Sequence, residues 1–424
     1  MEMPKLHISL LVLVYALGFI SSSKFGCGSL DGGYWNRSFI ESEKQALLLL
    51  KKNLVDEFRY LSSWVGDDCC AWHGIGCNKR TNHVIKVDPR NCTLRGDQIN
   101  SSLLNLKYFK IFGSFRDLKY LNLSYANFEG LVPHHLGNLS SLRYLDLKDN
   151  SLLSIDRMGW LPKLSMLGHL DLSFVNISRA TDWFSAINMF PSSFLVLKLH
   201  ACKIPNIIPQ HLPIIILTSL LSLDLASNVL LSFPLWIFNN SALELLSLAL
   251  TALSELDLQG NNFEGLIPHF IGNLTSLSRL QLSANKLNDS IPPEMGNLTK
   301  LTNLYISLNE LRGCLPELFC ELSKLEWLEV LYLSNNNFSG ELPLCLVNLA
   351  KLRNFAVMNN NVFGKILVSL GSLENLIYLN LFNNNFQGKL PLSFQNLTKL
   401  VIIDVRKNNL SDILPPGSER SYLI

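Results

Sequence analysis

Gly-Asn-Leu-Thr at residues 272–275 returns at 296–299, each time just before a Leu-x-x-Leu-x-(Leu/Ile) run. The same pattern recurs along most of the chain. Units begin near Leu118, Leu142, Leu167, Phe194, Leu220, Leu253, Leu277, Leu301, Leu328, Leu352, Leu376 and Leu400, mostly 24 residues apart. The template reads L-x-x-L-x-L-x-x-N-x-F/L-x-G-x-I/L-P, then about eight residues ending in G-N-L-T/S. One such unit cannot bury its own apolar face, whereas twelve stacked units can. A chain of 424 residues, 48% hydrophobic, therefore need not split into several domains.

A period of 20–29 residues with this pattern marks a leucine-rich repeat. The residues flanking the central leucine of L-x-x-L-x-L alternate in and out, as a short strand requires. Stacking aligns these strands into one parallel sheet on the concave side of a curved α/β solenoid. The ninth position is Asn at 150, 228, 261, 285, 309, 336, 360, 384 and 408. Its amide satisfies backbone groups where the chain turns, and stacked copies form a buried ladder. Ala126 and Val175 break that ladder, and Cys202 replaces one rung with a small thiol. Glycine permits the turn of each Gly-x-(Ile/Leu/Val)-Pro step, and proline ends the extended segment after it. Two intervals are irregular. Leu220 to Leu253 contains an incomplete unit at Leu243–Leu248, and 105–117 lacks a strand half; both read as internal deletions of partial repeats, with folded loops as the alternative.

The N-terminus has Lys5, an apolar run from Ile8 to Ile20 and Ser21–Ser23, which reads as a secretory signal peptide over 1–23, with an uncleaved anchor as the alternative. No later stretch is long enough to span a membrane. Thirteen Asn-x-Ser/Thr triplets occur, at Asn36, Asn91, Asn100, Asn122, Asn138, Asn176, Asn239, Asn273, Asn288, Asn297, Asn337, Asn396 and Asn409. Chance gives about five. With nine cysteines, they point to an oxidising, secreted or extracellular setting. A net charge of +2 without a basic stretch argues against nucleic acid as a partner.

Residues 41–78, ESEKQALLLLKKNLVDEFRYLSSWVGDDCCAWHGIGCN, supply an apolar helical run, two tryptophans and three cysteines, a set that covers the open edge of a repeat array. Together with the 24-residue units and Gly-x-Ile-Pro steps, "QALLLLKKNLVDEFRYLSSWVGDDCCAWHGIGCNKRTNHVIKVD" and "HHLGNLSSLRYLDL" resemble the extracellular part of plant leucine-rich-repeat receptor-like proteins, most of all the ethylene-inducing xylanase receptor group. The resemblance covers roughly 36–415. It implies plant-type repeats, a helical disulfide N-cap, and a cell-surface protein that binds a protein or peptide elicitor and signals in defence through co-receptor kinases. The chain has no kinase motifs of its own. The resemblance also implies a Cys70–Cys77 disulfide. The family's usual partner for Cys69 is replaced by Phe39, which leaves Cys27 as its possible mate. Cys92, Cys314, Cys320 and Cys345 have no assigned pairing. Family members go on to a C-cap and a membrane helix, which would place the full form in the plasma membrane; this chain ends one unit after Leu376 and reads as either a truncated product or a secreted form. The expected layout is signal peptide 1–23, linker 24–40, cap 41–83, repeats 84–415 (about twelve plus two degenerate partial units) and an uncapped tail 416–424. A secreted inhibitor of microbial wall-degrading enzymes, similar to polygalacturonase-inhibiting proteins, is the alternative.

The candidate binding residues are aromatics beside the strand leucines: Tyr120, Tyr144 and His169 in one row, Tyr305 with Tyr332 in another, and Tyr378 and Phe382 farther along. Exposed aromatics act as binding anchors, although tyrosine is also common on strand surfaces. Asp146, Asp171, Asp224 and Asp257 share one position and read as structural. His134-His135 lacks complementary ligands, so no metal is expected. Asp67-Asp68 reads as a turn. No nucleophile–base pair occurs, and neither an enzyme nor a cofactor is expected.

Overall fold

In the computed structural model the described residues are 36–52, 54–56, 59–89, 95–96, 115–206, 217, 219–234 and 252–411. The segment 1–23 read as a signal peptide, Cys27, Cys92, the sequons at Asn91, Asn100 and Asn239, the segment Leu243–Leu248 and the tail 416–424 lie outside them, as does the side chain of Asn36. Two compact units are distinguished, Met1–Ser38 and Phe39–Ile424. Of the first, only the opening residues of a helix are described; the repeat architecture belongs to the second.

The second unit begins within the helix Asn36–Lys52. Ala46, Leu47 and Leu50 share one face at helical spacing and are buried. Trp64 and Trp72 stack beside them, ring centroids 5.6 Å apart and 17° from parallel. Each indole N–H has a backbone acceptor, His73 O at 2.8 Å and Val65 O at 2.9 Å. Cys70 and Cys77 are disulfide-bonded. Asp68 Oδ1 accepts the Cys70 N–H, the turn that the paired carboxylates suggested. Ile75–Cys77 and Val84–Val87 form an antiparallel pair that starts the sheet.

Twelve further strands follow in strict parallel order, from Tyr120–Asn122 to Ile402–Asp404, completing a sheet of 14. The central leucines pair across it, Leu121 with Leu145 and Leu145 with Leu170, and all are buried. Val84–Val87 pairs directly with Tyr120–Asn122, and Ser222–Asp224 directly with Glu255–Asp257. The extra residues of the two long intervals thus do not interrupt the sheet.

The asparagine ladder is present and works in both directions. Asn285 Nδ2 donates to Leu258 O in the preceding unit and Leu282 O in its own, each at 3.0 Å. Its Oδ1 accepts Phe263 N–H at 3.2 Å. Cys202 fills its rung by the same means: its Sγ donates to Leu172 O at 3.0 Å, and its N–H donates to Asn228 Oδ1. Past the ladder the chain enters extended segments that pair with their neighbours. Arg312–Cys314, Asn337–Glu341, Asn361–Lys365, Asn385–Gly388 and Asn409–Leu410 make a second, five-stranded sheet that the repeat template did not announce. Gly340 has φ 93°, a backbone that glycine adopts without strain.

The glycine of Gly-Asn-Leu-Thr has a different cause. Gly272 of that tetrapeptide and Gly371, in the equivalent Gly-Ser-Leu-Glu, lie where short turns of successive units touch. A Cβ on Gly272 would sit 2.5 Å from Glu294 O, and one on Gly371 would sit 2.4 Å from Ser393 O. Only a residue without a side chain lets backbones approach this closely. The same close approach to a carbonyl of the next unit occurs at Gly137 and Gly296.

Candidate functional site

The strands set three parallel rows on the concave face. The residue before each central leucine forms the first: Tyr120, Tyr144 and His169 pair consecutively. Their rings stack as a continuous pile, with centroids 4.2 and 4.1 Å apart and planes within 11°. Lys86 caps the pile, its Nζ 5.2 Å from the Tyr120 centroid. Burial, then the charge of Lys198, lowers His169 to a pKa of about 4, with Asp171 opposing. The imidazole is therefore neutral at physiological pH and acts in the pile as a flat ring.

The residue after each central leucine forms the second row. Tyr305 pairs with Tyr332, their rings edge to face at 5.4 Å. The Arg279 guanidinium lies 5.1 Å from the Tyr305 ring. Tyr378 belongs to the first row instead, because it precedes Leu379, and its ring reaches Tyr332 diagonally at 6.2 Å. Phe382 lies in a third row, two residues after Asn380, beside Lys407 at 5.1 Å and Arg406 at 5.7 Å. All seven aromatic candidates are half-buried. Each buries a flank and leaves an edge to solvent, the arrangement that lets a ring anchor a partner at low entropic cost.

The aspartates also occupy the second row, interrupted by Lys198. Each accepts the backbone N–H two residues on: Lys148 for Asp146, Ser173 for Asp171, Ala226 for Asp224 and Gln259 for Asp257, at 2.9–3.0 Å. Their role is to hold the turn that follows each strand. Burial raises Asp146 and Asp224, and burial with the Asp224 charge lifts Asp257 to about 6. An aspartate in the unfolded chain titrates near ~4. As pH rises from there to about 6, the unfolded chain releases a proton that folded Asp257 keeps, so stability falls across that window. An asparagine at this position would keep the acceptor without the charge. Asp257→Asn is expected to raise the melting temperature at pH 7.5 and to leave it unchanged at pH 4, as followed by circular dichroism.

Several features escaped sequence reasoning. Tyr125, Phe174, Val229 and Leu308 stand just past the strands with φ of 57–67° and are 38–62% exposed. Left-handed backbone is costly for such residues, above all for a β-branched valine. Tyr125, Phe174 and Leu308 fill the eighth position of their units, and Val229 the tenth of its own. Glu43, buried, accepts Val84 N–H at 2.9 Å and meets His83 Nδ1 at 3.1 Å, tying the cap helix to the sheet. One sequon needs correction: Asn122 is buried, and its Nδ2 donates to Asp146 at 2.7 Å, so this nitrogen is inaccessible in the folded chain. Asn138, Asn273, Asn297, Asn337, Asn396 and Asn409 are exposed, and Asn176 and Asn288 are half-buried. Among the described residues, Cys69, Cys202, Cys314, Cys320 and Cys345 carry no disulfide, and no cluster of His, Cys, Asp and Glu is arranged to hold a metal.

Comparison with known proteins agrees with this architecture. Residues 40–78 match the leucine rich repeat N-terminal domain, and 109–152, 251–311, 327–349 and 375–397 match leucine rich repeats. Receptor-like protein EIX1 of Solanum lycopersicum is 33% identical over 272 residues, which is 55% of this chain and 25% of that protein. The chain has the leucine-rich-repeat fold and is similar to plant receptor-like proteins. Receptor-like protein 6 of Arabidopsis thaliana is 30% identical over 52% of this chain and 23% of its own length. The chain spans about a quarter of the length of these relatives, and they do not separate one subgroup from another. Repeats of this class are recognition modules rather than catalysts. The crystal structure of a TDR receptor superposes with a TM-score of 0.62 at 26% identity, over 75% of this chain and 54% of that one. The Arabidopsis receptor kinase HAESA, solved in complex with the peptide hormone IDA and the co-receptor SERK1, gives 0.60 at 28% identity, over 88% and 54%. Among the described residues, no helix is long and apolar enough to cross a membrane.

Proposed function

We propose that the chain is an extracellular recognition domain that binds a protein or peptide elicitor on its concave face, in defence signalling through partner kinases. The observation that carries this reading is the placement of seven half-buried aromatics along the concave rows, with cations at Lys86, Arg279 and Lys407 against their rings. The sequons support the same face. Asn138, Asn273, Asn297 and Asn396 each end a short 3-10 turn on the opposite side of the unit, so glycans there leave the strand rows clear. Among the receptor subgroups we favour the ethylene-inducing xylanase receptor group, on the stretches of cap and first repeats that resemble it. A signal peptide over 1–23 would bring the chain to this compartment, and a membrane-anchored form would present it at the plasma membrane.

Peptides selected from a random displayed library against the secreted full chain test the reading. Tyr144→Ala, Tyr305→Ala and Tyr332→Ala are each expected to weaken the selected peptides by tenfold or more, equivalent to about 1.4 kcal/mol. Trp327→Ala, exposed but outside the rows, is expected to leave affinity unchanged. Equal affinity for all four variants would refute concave binding.

A further inference from the structure

The unit that begins at Leu301 departs from its neighbours on the side opposite the strands. Where they have five-residue 3-10 turns, Pro293–Asn297 and Leu344–Asn348, it has a helix, Leu315–Leu322. The helix carries Cys320, which is exposed, and the turn of the next unit carries Cys345. Their sulfurs are 3.8 Å apart. We propose that Cys320 and Cys345 form an inter-unit disulfide, a clasp between the outer ends of two neighbouring repeats.

Among the described residues, the other thiols do not compete for this pairing. Cys69 and Cys202 are 1% and 0% exposed, and Cys202 is committed to the asparagine ladder. Cys314 Sγ rests against Gly340, where an added Cβ would come within 2.8 Å of it. Closing 3.8 Å to a bond of about 2 Å takes only a small side-chain movement. The oxidant is a disulfide, either a protein dithiol oxidase of the secretory pathway or a small-molecule disulfide. The exposed Cys320 attacks first, as thiolate, on one sulfur of the donor, and the other sulfur leaves as a thiolate that takes up a proton. Cys345, whose thiol is pushed up by burial and then by the neighbouring Cys320 sulfur, loses its proton and displaces the second donor thiol. Two cysteine thiols are oxidised and one donor disulfide is reduced to two thiols. The clasp joins the units whose strands, Asn303–Tyr305 and Val330–Tyr332, carry the Tyr305–Tyr332 pair, so it fixes the spacing behind that part of the concave face.

The test is a thiol map of the full chain secreted from eukaryotic cells, alkylated before unfolding and digested without reduction. The expected result is one cross-linked peptide pair containing Cys320 and Cys345, about 2 Da lighter than the two free peptides and lost on reduction. Cys314→Ser is expected to keep this pair. Cys320→Ser is expected to make Cys345 alkylatable while Cys70–Cys77 stays intact. Full alkylation of both Cys320 and Cys345 in the unsubstituted protein, or a bridge from either one to Cys314, would overturn the proposal.

Discussion

Asn285→Ala is expected to lower the unfolding free energy by about 2–4 kcal/mol, measured by urea denaturation. The loss exceeds that of an ordinary hydrogen bond because no water replaces the amide. Asn285 is buried, and its removal strands the N–H of Phe263 and takes one of two donors from each of the carbonyls of Leu258 and Leu282, which keep Asn261 and Asn309. Each buried orphan costs ~1–3 kcal/mol, partly relieved by relaxation of the turn. The effect is local in origin, since a unit touches only its neighbours. Amide exchange is therefore expected to accelerate first in 258–263 and 282–287. Asn285→Cys is expected to lose less than Asn285→Ala, because Cys202 already shows a thiol donating to the preceding unit from this position. Equal losses for the two substitutions would show that the thiol bond contributes nothing.

Trp64→Ala is expected to cost about 3–5 kcal/mol, the range for deleting a large buried aromatic. Trp64 is fully buried, stacks on Trp72, donates to His73 O and supplies the carbonyl that holds Lys51 Nζ at 2.9 Å. It therefore joins the cap helix, the disulfide segment and the second tryptophan in one contact. Fluorescence-detected unfolding is expected to show an early transition confined to the cap, with the remaining repeats melting later. One unchanged cooperative transition would contradict this role.

The unit was legible because its period forces stacking, and stacking fixes the strand, the ladder and the buried leucines at once. Reading within one unit could not reveal what neighbouring units do to each other. Gly272 and Gly371 look like turn residues in the sequence, yet their cause is a carbonyl of the following unit. Glu43 and Val84 are 41 positions apart, and nothing in either stretch names the other. The row of Tyr120, Tyr144 and His169 and the row of Tyr305 and Tyr332 were visible, but not the row to which Tyr378 belongs. Tyr378 precedes its central leucine whereas Tyr305 and Tyr332 follow theirs, and these two positions along a strand lie in different rows of the same face. The Asn122 sequon shows the same limit: the triplet is intact, and only burial removes it from reach.

Hydroxyl-radical footprinting of the full chain, with and without a library-selected peptide, tests the central claim most directly. Oxidation is read residue by residue at the aromatic and sulfur side chains. The account predicts protection of Tyr144, Tyr305, Tyr332 and Tyr378 on the strand rows, with no change at Met189 and Trp327, which are exposed outside them. Protection of Met189 or Trp327, with the row tyrosines oxidised as in the free protein, would contradict recognition by the concave face.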